Sequence, residues 1–189
     1  YNPSLFSVKN TRLVPYVQKL KKDSAFYTRG FLTVSGTLAD ENVAVIVCHL
    51  PSRFSESFYR ELGAEQVKAI KDSLLNDDPN CKVFVMGDMN DDPDDTSMAK
   101  FLGARREMKE VEEGDFYNPW WNILRKDNRG TLSYQGAWNL FDQIVVSKNL
   151  LATQKAKDVK GYRNAAMQNS SSLTFYGNEI FQRDYLFQT

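Results

Sequence analysis

The chain has one histidine, two cysteines and no net charge, with 24 Lys plus Arg against 24 Asp plus Glu in 189 residues. Each scarcity excludes something. Two cysteines, Cys48 and Cys81, cannot make a disulfide scaffold, and the sequence offers no zinc site. Both sit in apolar, strand-like runs, where buried free thiols are the expected state and a single disulfide the alternative. Zero net charge argues against a strongly basic nucleic-acid binder or a polybasic membrane anchor, while leaving room for a local basic groove. No apolar run reaches the ~18 residues a bilayer crossing needs. The longest, Val43 to Cys48, is strand-sized. The first residue is Tyr1 rather than Met, so a chain cut from something longer is expected. Secreted, periplasmic and cytoplasmic locations are all compatible.

What is present is a globular composition. Hydrophobic residues make up 42% and aromatics 13%, too many for a disordered tail or a linker. The length suits one domain spanning residues 1–189. No internal repeat and no Pro- or Ser-rich linker divides it.

Leu13 to Lys22 reads as a short helix or an irregular cover. Phe26 to Leu38, rich in aromatic and β-branched residues, predicts a strand bent at Gly30. A polar turn, Ala39 to Asn42, leads to a second strand over Val43 to Leu50, giving an antiparallel hairpin. The near-continuous apolar character of the pair suggests a sheet covered on both faces. Pro51 and Ser52 break the strand, and a helix follows over about Ser57 to Leu75. Leu62, Val67, Ile70 and Leu74 form its apolar stripe, with Lys68, Lys71 and Asp72 off it. Lys82 to Met86 is a third strand, and strand–helix–strand of this length is a crossover unit that makes strands two and three parallel. A short helix over Met98 to Leu102 is capped by Thr96 or Ser97. Arg105 to Asp115 is a charged, solvated stretch, and Tyr117 to Leu124 is an aromatic short helix. Gly130 to Tyr134 and Trp138 to Ser147 form a hairpin about Gln135-Gly136. Asn149 to Ala152 is a helical turn, and Leu173 to Tyr176 is strand-like.

Three stretches carry chemistry. In Val85-Met86-Gly87-Asp88-Met89-Asn90 an apolar strand runs into Gly and then Asp-x-Asn. Open sheets with helical crossovers place ligands at the carboxyl ends of their strands. Asp88 can take a proton from water or hold a divalent cation, and Asn90 can donate to a phosphoryl oxygen. The competing structural reading is an Asx turn, in which the side chain bonds its own backbone. Asp91, Asp92, Asp94 and Asp95 read as a solvated acidic loop. An EF-hand is rejected, because Pro93 and Ala99 stand where it needs Gly and Glu.

The second stretch, His49-Leu50-Pro51-Ser52-Arg53, ends strand two. His49 is the sole histidine and stands at the same sheet edge as Asp88. Arg53 can reach an anion as a planar bidentate donor, or make a surface salt bridge. The third is Leu140-Phe141-Asp142-Gln143-Ile144. Period two puts Asp142 on a face with Leu140 and Ile144, so its carboxylate must be paired there. It serves either as a strand acid or as an acid orienting a catalytic histidine or metal.

Together and in this order, His49-Leu50-Pro51-Ser52-Arg53, Gly87-Asp88-Met89-Asn90 and Phe141-Asp142-Gln143-Ile144-Val145-Val146-Ser147 resemble the endonuclease/exonuclease/phosphatase family. The Thr28-Arg29-Gly30-Phe31-Leu32 stretch and the segment from Gly130-Thr131 to Trp138 look like bacterial members of unassigned substrate. The resemblance covers about residues 26–150. It implies an α/β fold, a four-layer sandwich of the deoxyribonuclease-like type, incomplete in this chain. It implies hydrolysis of a phosphoester by in-line attack of water, assisted by Mg²⁺, with Mn²⁺ or Ca²⁺ as alternatives. By the match, Asp88 positions water and is a possible metal ligand, Asn90 holds the phosphoryl group, His49 stabilises phosphate charge and Asp142 orients a second histidine. Arg29 and Arg53 are candidates for phosphate contact. The family's upstream Asn and metal-binding Glu, and its final Ser-Asp-His, have no counterpart here. Weak Mg²⁺ binding, little or no activity of this chain alone, and a half-covered sheet face are therefore expected. The substrate is a nucleic acid, a phospholipid headgroup or a sugar or inositol phosphate, with neutral charge disfavouring long nucleic acid. The alternatives are an inactive member and a non-catalytic α/β binding module presenting Tyr117, Trp120 and Trp121.

Overall fold

The computed structural model describes residues 1–16 and 28–151. In chain order they form β1 (Phe6–Val14), β2 (Phe31–Leu38), β3 (Glu41–His49), α1 (Ser57–Asp77), β4 (Lys82–Asp88), β5 (Ala104–Arg105), β6 (Phe116–Tyr117), α2 (Trp120–Arg125), β7 (Leu132–Tyr134), β8 (Ala137–Asn139) and β9 (Asp142–Ser147). A seven-stranded mixed sheet has the order β1-β2-β3-β4-β9-β6-β5, and β7-β8 is a separate hairpin.

β2 and β3 are antiparallel about a two-residue loop, with Leu38 opposite Glu41. Ala39 and Asp40 both have positive φ, 50° and 63°, the turn that matches strand twist. β4 returns parallel to β3 through α1, the expected crossover. β9 then lies antiparallel to β4 and joins it to β6.

Period two along β3 and β4 sorts their side chains onto two covered faces. On one, Ala44, Ile46, Cys48, Val83 and Val85 pack with Phe31 and with Ala64 and Val67 of α1. On the other, Val43, Phe84 and Val146 pack with Tyr117 and Leu150. Burial of each large apolar side chain contributes about 1.5–3 kcal/mol, which fixes strand register through the side-chain alternation. The second face is covered only in part. Leu13, Leu32 and Val47 line up across β1, β2 and β3 with exposures of 68%, 38% and 37%. Cys48 and Cys81 are buried and free.

Several local readings need correction. Residues through Val14 are strand, where a helix or irregular cover was expected from Leu13 onward. Pairing with β2 overrides local propensity there, and residues 17–22 lie outside the described residues. β2 begins at Phe31, residues 28–30 ahead of it are in no regular element, and residues 26–27 lie outside the described residues. Lys71, placed off the helix stripe, is fully buried. Its ammonium donates to Gly114 O, pairs with Asp72 at 2.7 Å and lies over the Phe116 ring. Burial pulls its pKa below the lysine value, against the opposing pull of Asp72. The 98–102 segment is a π-helical turn over Ser97–Leu102 with no side-chain cap. The run from Trp138 to Ser147 is not one strand, because Leu140 and Phe141 break it and β9 leaves the hairpin for the main sheet. The 149–152 turn is 3₁₀ over Lys148–Leu150. Ala152 and the Leu173–Tyr176 stretch fall outside the described residues.

Candidate active site

Three of the sequence candidates stand in one row. His49 ends β3 opposite Asp88 at the end of β4, and Asp88 is opposite Asp142 at the start of β9. Residues paired across strands share a face, so all three side chains leave the sheet on the same side. His49 Nε2 is 3.6 Å from Asp88 Oδ2, with side-chain exposures of 42% and 33%. The pair is half-open to solvent, as a site that admits a ligand must be.

Asn90 follows two residues beyond the end of β4. Its φ of 50° places it in the left-handed region that Asn tolerates better than most residues. Its N–H donates to Asp88 Oδ1 at 2.9 Å, so the Asx turn does form. The turn occupies one carboxylate oxygen and leaves the other facing His49. The Asn90 amide donates to Leu50 O at 2.9 Å, tying the loop to the end of β3. Leu50 N in turn donates to Asp88 O. Gly87 makes this junction possible: its φ is 136°, and a Cβ there would lie 1.9 Å from Cys48 O. Burial, reinforced by Asp88, pushes the Cys48 thiol up to about 12, so it stays a neutral thiol beneath the site.

Half of the acidic loop is not solvated. Asp91 and Asp92 are buried. Asp91 accepts from Ser97 Oγ at 2.6 Å and lies 2.8 Å from the Nε of buried Arg60, a charge contact rather than an aligned hydrogen bond. Asp92 accepts from Leu140 N at 2.7 Å. Burial raises the Asp92 pKa, opposed by that N–H and by Arg53. Asp94 takes a bidentate grip from Arg125 at 2.6 and 2.8 Å. The expectation of a solvated loop fails at Asp91 and Asp92, because an Asp-rich loop after a strand has no periodicity to expose a buried member.

Arg53 is held inside this network. Its Nε donates to Asn90 O at 3.1 Å, Nη1 to Asn139 Oδ1 at 3.3 Å, and Nη2 to Asp95 Oδ2 at 2.6 Å and Asp92 Oδ2 at 3.4 Å. Its guanidinium carbon lies 4.4 Å from the centre of the Phe141 ring. Arg29 is exposed, two residues ahead of β2. The start of β2 meets the end of β3 through the Leu32–Val47 pair, so Arg29 shares the sheet edge of His49.

Asp142 differs from expectation. It is exposed, and its N–H donates to Thr131 Oγ1 at 3.2 Å. The buried polar residue beside it is Gln143, which sits opposite Gly87. Gln143 Nε2 donates to Asp91 O and Leu140 O, and its Oε1 accepts from Asn118 Nδ2 at 2.8 Å. Asn118 Oδ1 accepts from Trp120 N. Every polar arm of this buried pair is satisfied, as a dry interior requires. Period two from Val145 back to Gln143 was the available signal for it. Tyr117 and Trp120 are core residues rather than an exposed platform, and Trp121 is half-buried.

The described residues do not by themselves form a cage for a divalent cation. Among them no three His, Cys, Asp or Glu side chains gather as a metal group. Asp88 and Asp142 offer carboxylate oxygens on one row, and Mg²⁺ is commonly held by one or two carboxylates with waters and substrate phosphate completing its octahedron. Among the described residues no helix is long and apolar enough to cross a membrane.

The parallel β3–β4 crossover, the antiparallel β9 and the site at the carboxyl edge define an α/β fold of the deoxyribonuclease-like sandwich type. A truncated Caenorhabditis elegans TDP2 matches with a TM-score of 0.51 at 17% identity, over 76% of this chain and 54% of its own. A humanized D. rerio TDP2 gives 0.53 at 18%, over 76% and 53%. The human Nocturnin catalytic domain gives 0.51 at 14%, over 77% and 49%. The chain thus spans about half the length of these solved structures. No curated protein sequence matches it significantly. The model of the endonuclease/exonuclease/phosphatase family matches residues 1–184, and the chain belongs to that family.

Proposed function

We propose that this chain carries the phosphoester-hydrolysing centre of its family at the His49–Asp88–Asn90 edge. The observation that carries the reading is the cross-strand row of His49, Asp88 and Asp142, with Asn90 bonded to Asp88 beside it. A water held at Asp88 gives its proton to the carboxylate as its oxygen bonds phosphorus. The bond from phosphorus to the leaving oxygen breaks in line. His49 and the second N–H of the Asn90 amide donate to the phosphoryl oxygens as charge develops. Arg29 lies at the same edge, available to the anion, and Asp142 is the orienting acid of the row. Mg²⁺, ahead of Mn²⁺ or Ca²⁺, is the cation this reading implies, with Asp88 as the one ligand assigned. A nucleic acid, a phospholipid headgroup and a sugar or inositol phosphate all present the required group. With an incomplete ligand set, this chain alone binds Mg²⁺ weakly and turns over slowly.

The test is hydrolysis of bis(4-nitrophenyl) phosphate with Mg²⁺. A low rate that Asp88→Ala lowers by ~10²-fold is expected, the size of a lost general base. Turnover that Asp88→Ala leaves untouched would refute the assignment.

A further inference from the structure

Arg53 is half-exposed at the rim, yet four of its five N–H groups have protein acceptors. Nε, Nη1 and Nη2 hold Asn90 O, Asn139 Oδ1, Asp92 and Asp95, and Asp91 Oδ1 lies 3.5 Å from Nε. These partners belong to two different segments. Asn90, Asp92 and Asp95 are on the loop leaving β4, whereas Asn139 and Phe141 lead into β9. The two segments also meet through Met89 N to Phe141 O at 2.7 Å, the Asp92 carboxylate on Leu140 N, and Gln143 Nε2 on Asp91 O, all on the buried side of the junction, whereas Arg53 ties them at its rim. Asn90 is also in a backbone conformation that costs energy for a residue with a Cβ, and its carbonyl is the group Arg53 grips.

We infer that Arg53 is a positioning residue: its guanidinium clamps the Asn90 turn to the Asn139–Asp142 strap, setting the distance between the two sides of the site. The functional meaning of this clamp rests on the proposed phosphoesterase reading, since Asn90 and Asp142 are the residues it places. A planar fork is required. The acceptors lie around the edge of the guanidinium while Phe141 lies under its face, and a lysine ammonium offers three donors from one atom and no face. Asp92 and Asp95 offset the Arg53 charge locally, so the residue contributes geometry here more than field.

The test is amide hydrogen exchange on the ligand-free full chain, comparing Arg53→Lys and Arg53→Gln with wild type. Met89 N–H bonds the strap and Asn90 N–H bonds Asp88, so both report the clamp. Val85 and Val145, paired in the core of the sheet, report global stability. Exchange at Met89 and Asn90 is expected to speed at least tenfold in both variants beyond any change at Val85 and Val145. Dimethyl phosphate affinity is expected to fall in parallel. Exchange at Met89 and Asn90 that only tracks the core, or full recovery in Arg53→Lys, overturns the inference. If the Arg53 variants do not fold, Asp95→Ala and Asn139→Ala remove one anchor each and must speed the same two amides, or the clamp is refuted. A wild-type protein that binds no dimethyl phosphate defeats the phosphoesterase reading, while the exchange data still decide the clamp.

Discussion

His49 and Asp88 face each other across two parallel strands, Nε2 to Oδ2 at 3.6 Å, with Asp142 completing the row from the antiparallel side. The pair is open to solvent, and exposed ion pairs contribute only about 0–1 kcal/mol to stability. Asp88→Asn and His49→Gln are therefore expected to leave the urea midpoint nearly unchanged while abolishing phosphodiester turnover. A large loss of stability in either variant would show that the pair is structural.

The opposite is expected of Arg60 and Asp91. Both are buried, and Arg60 also donates to Ser52 O and Ser55 O. Arg60→Leu leaves the Asp91 carboxylate without its buried cation, at a cost of about 3–5 kcal/mol. Urea denaturation of the variant measures it, and a loss under ~1 kcal/mol would contradict the burial described here.

Acid should weaken the fold through Asp115. Burial raises its carboxyl pKa, but the Arg105 guanidinium at 2.9 and 3.0 Å and the Glu112 N–H outweigh that and hold it below the ordinary 3.8. A depressed folded-state value means stability that is present above pH 3.8 and lost as pH falls through the folded value. Thermal melts from pH 6 downward should show a decline below about pH 4 that Asp115→Asn flattens. An unchanged slope in that variant would remove Asp115 from the account.

Cys48 should resist alkylation. Burial and the nearby Asp88 push its thiol up to about 12, and thiolate is the reactive form. Iodoacetamide at pH 8 is expected to leave Cys48 unmodified in native protein and to modify it in urea, as mass spectrometry of the peptide would show. Rapid native labelling would mean that the junction beneath the site is open.

The sequence made the β2–β3 hairpin, the α1 crossover, the parallel β3–β4 pair and the free buried thiols legible, because each rests on periodicity, a turn signal or a short chain distance. It also placed His49, Asp88 and Asn90 together, since consecutive parallel strands end at one edge. It erred where burial does not follow local pattern. Asp142 was expected on a buried face, but the face it shares with Ile144 and Val146 loses its cover toward the start of β9, and Gln143 on the other face is the buried polar neighbour. Lys71 was read as solvent-facing because it is charged, yet a carbonyl, a carboxylate and an aromatic face receive its ammonium. Asp91 and Asp92 looked solvated because their partners, Arg60 and Leu140, are distant in the chain.

The most direct measurement uses the single histidine. Nuclear magnetic resonance of the His49 ring and the Asn90 side-chain amide, followed as dimethyl phosphate is added with Mg²⁺, should show both signals moving along one saturation curve. The movement should vanish in Asp88→Asn. Signals that stay fixed at His49 and Asn90 while dimethyl phosphate perturbs residues elsewhere on the chain would contradict a phosphoester site at this edge of the sheet.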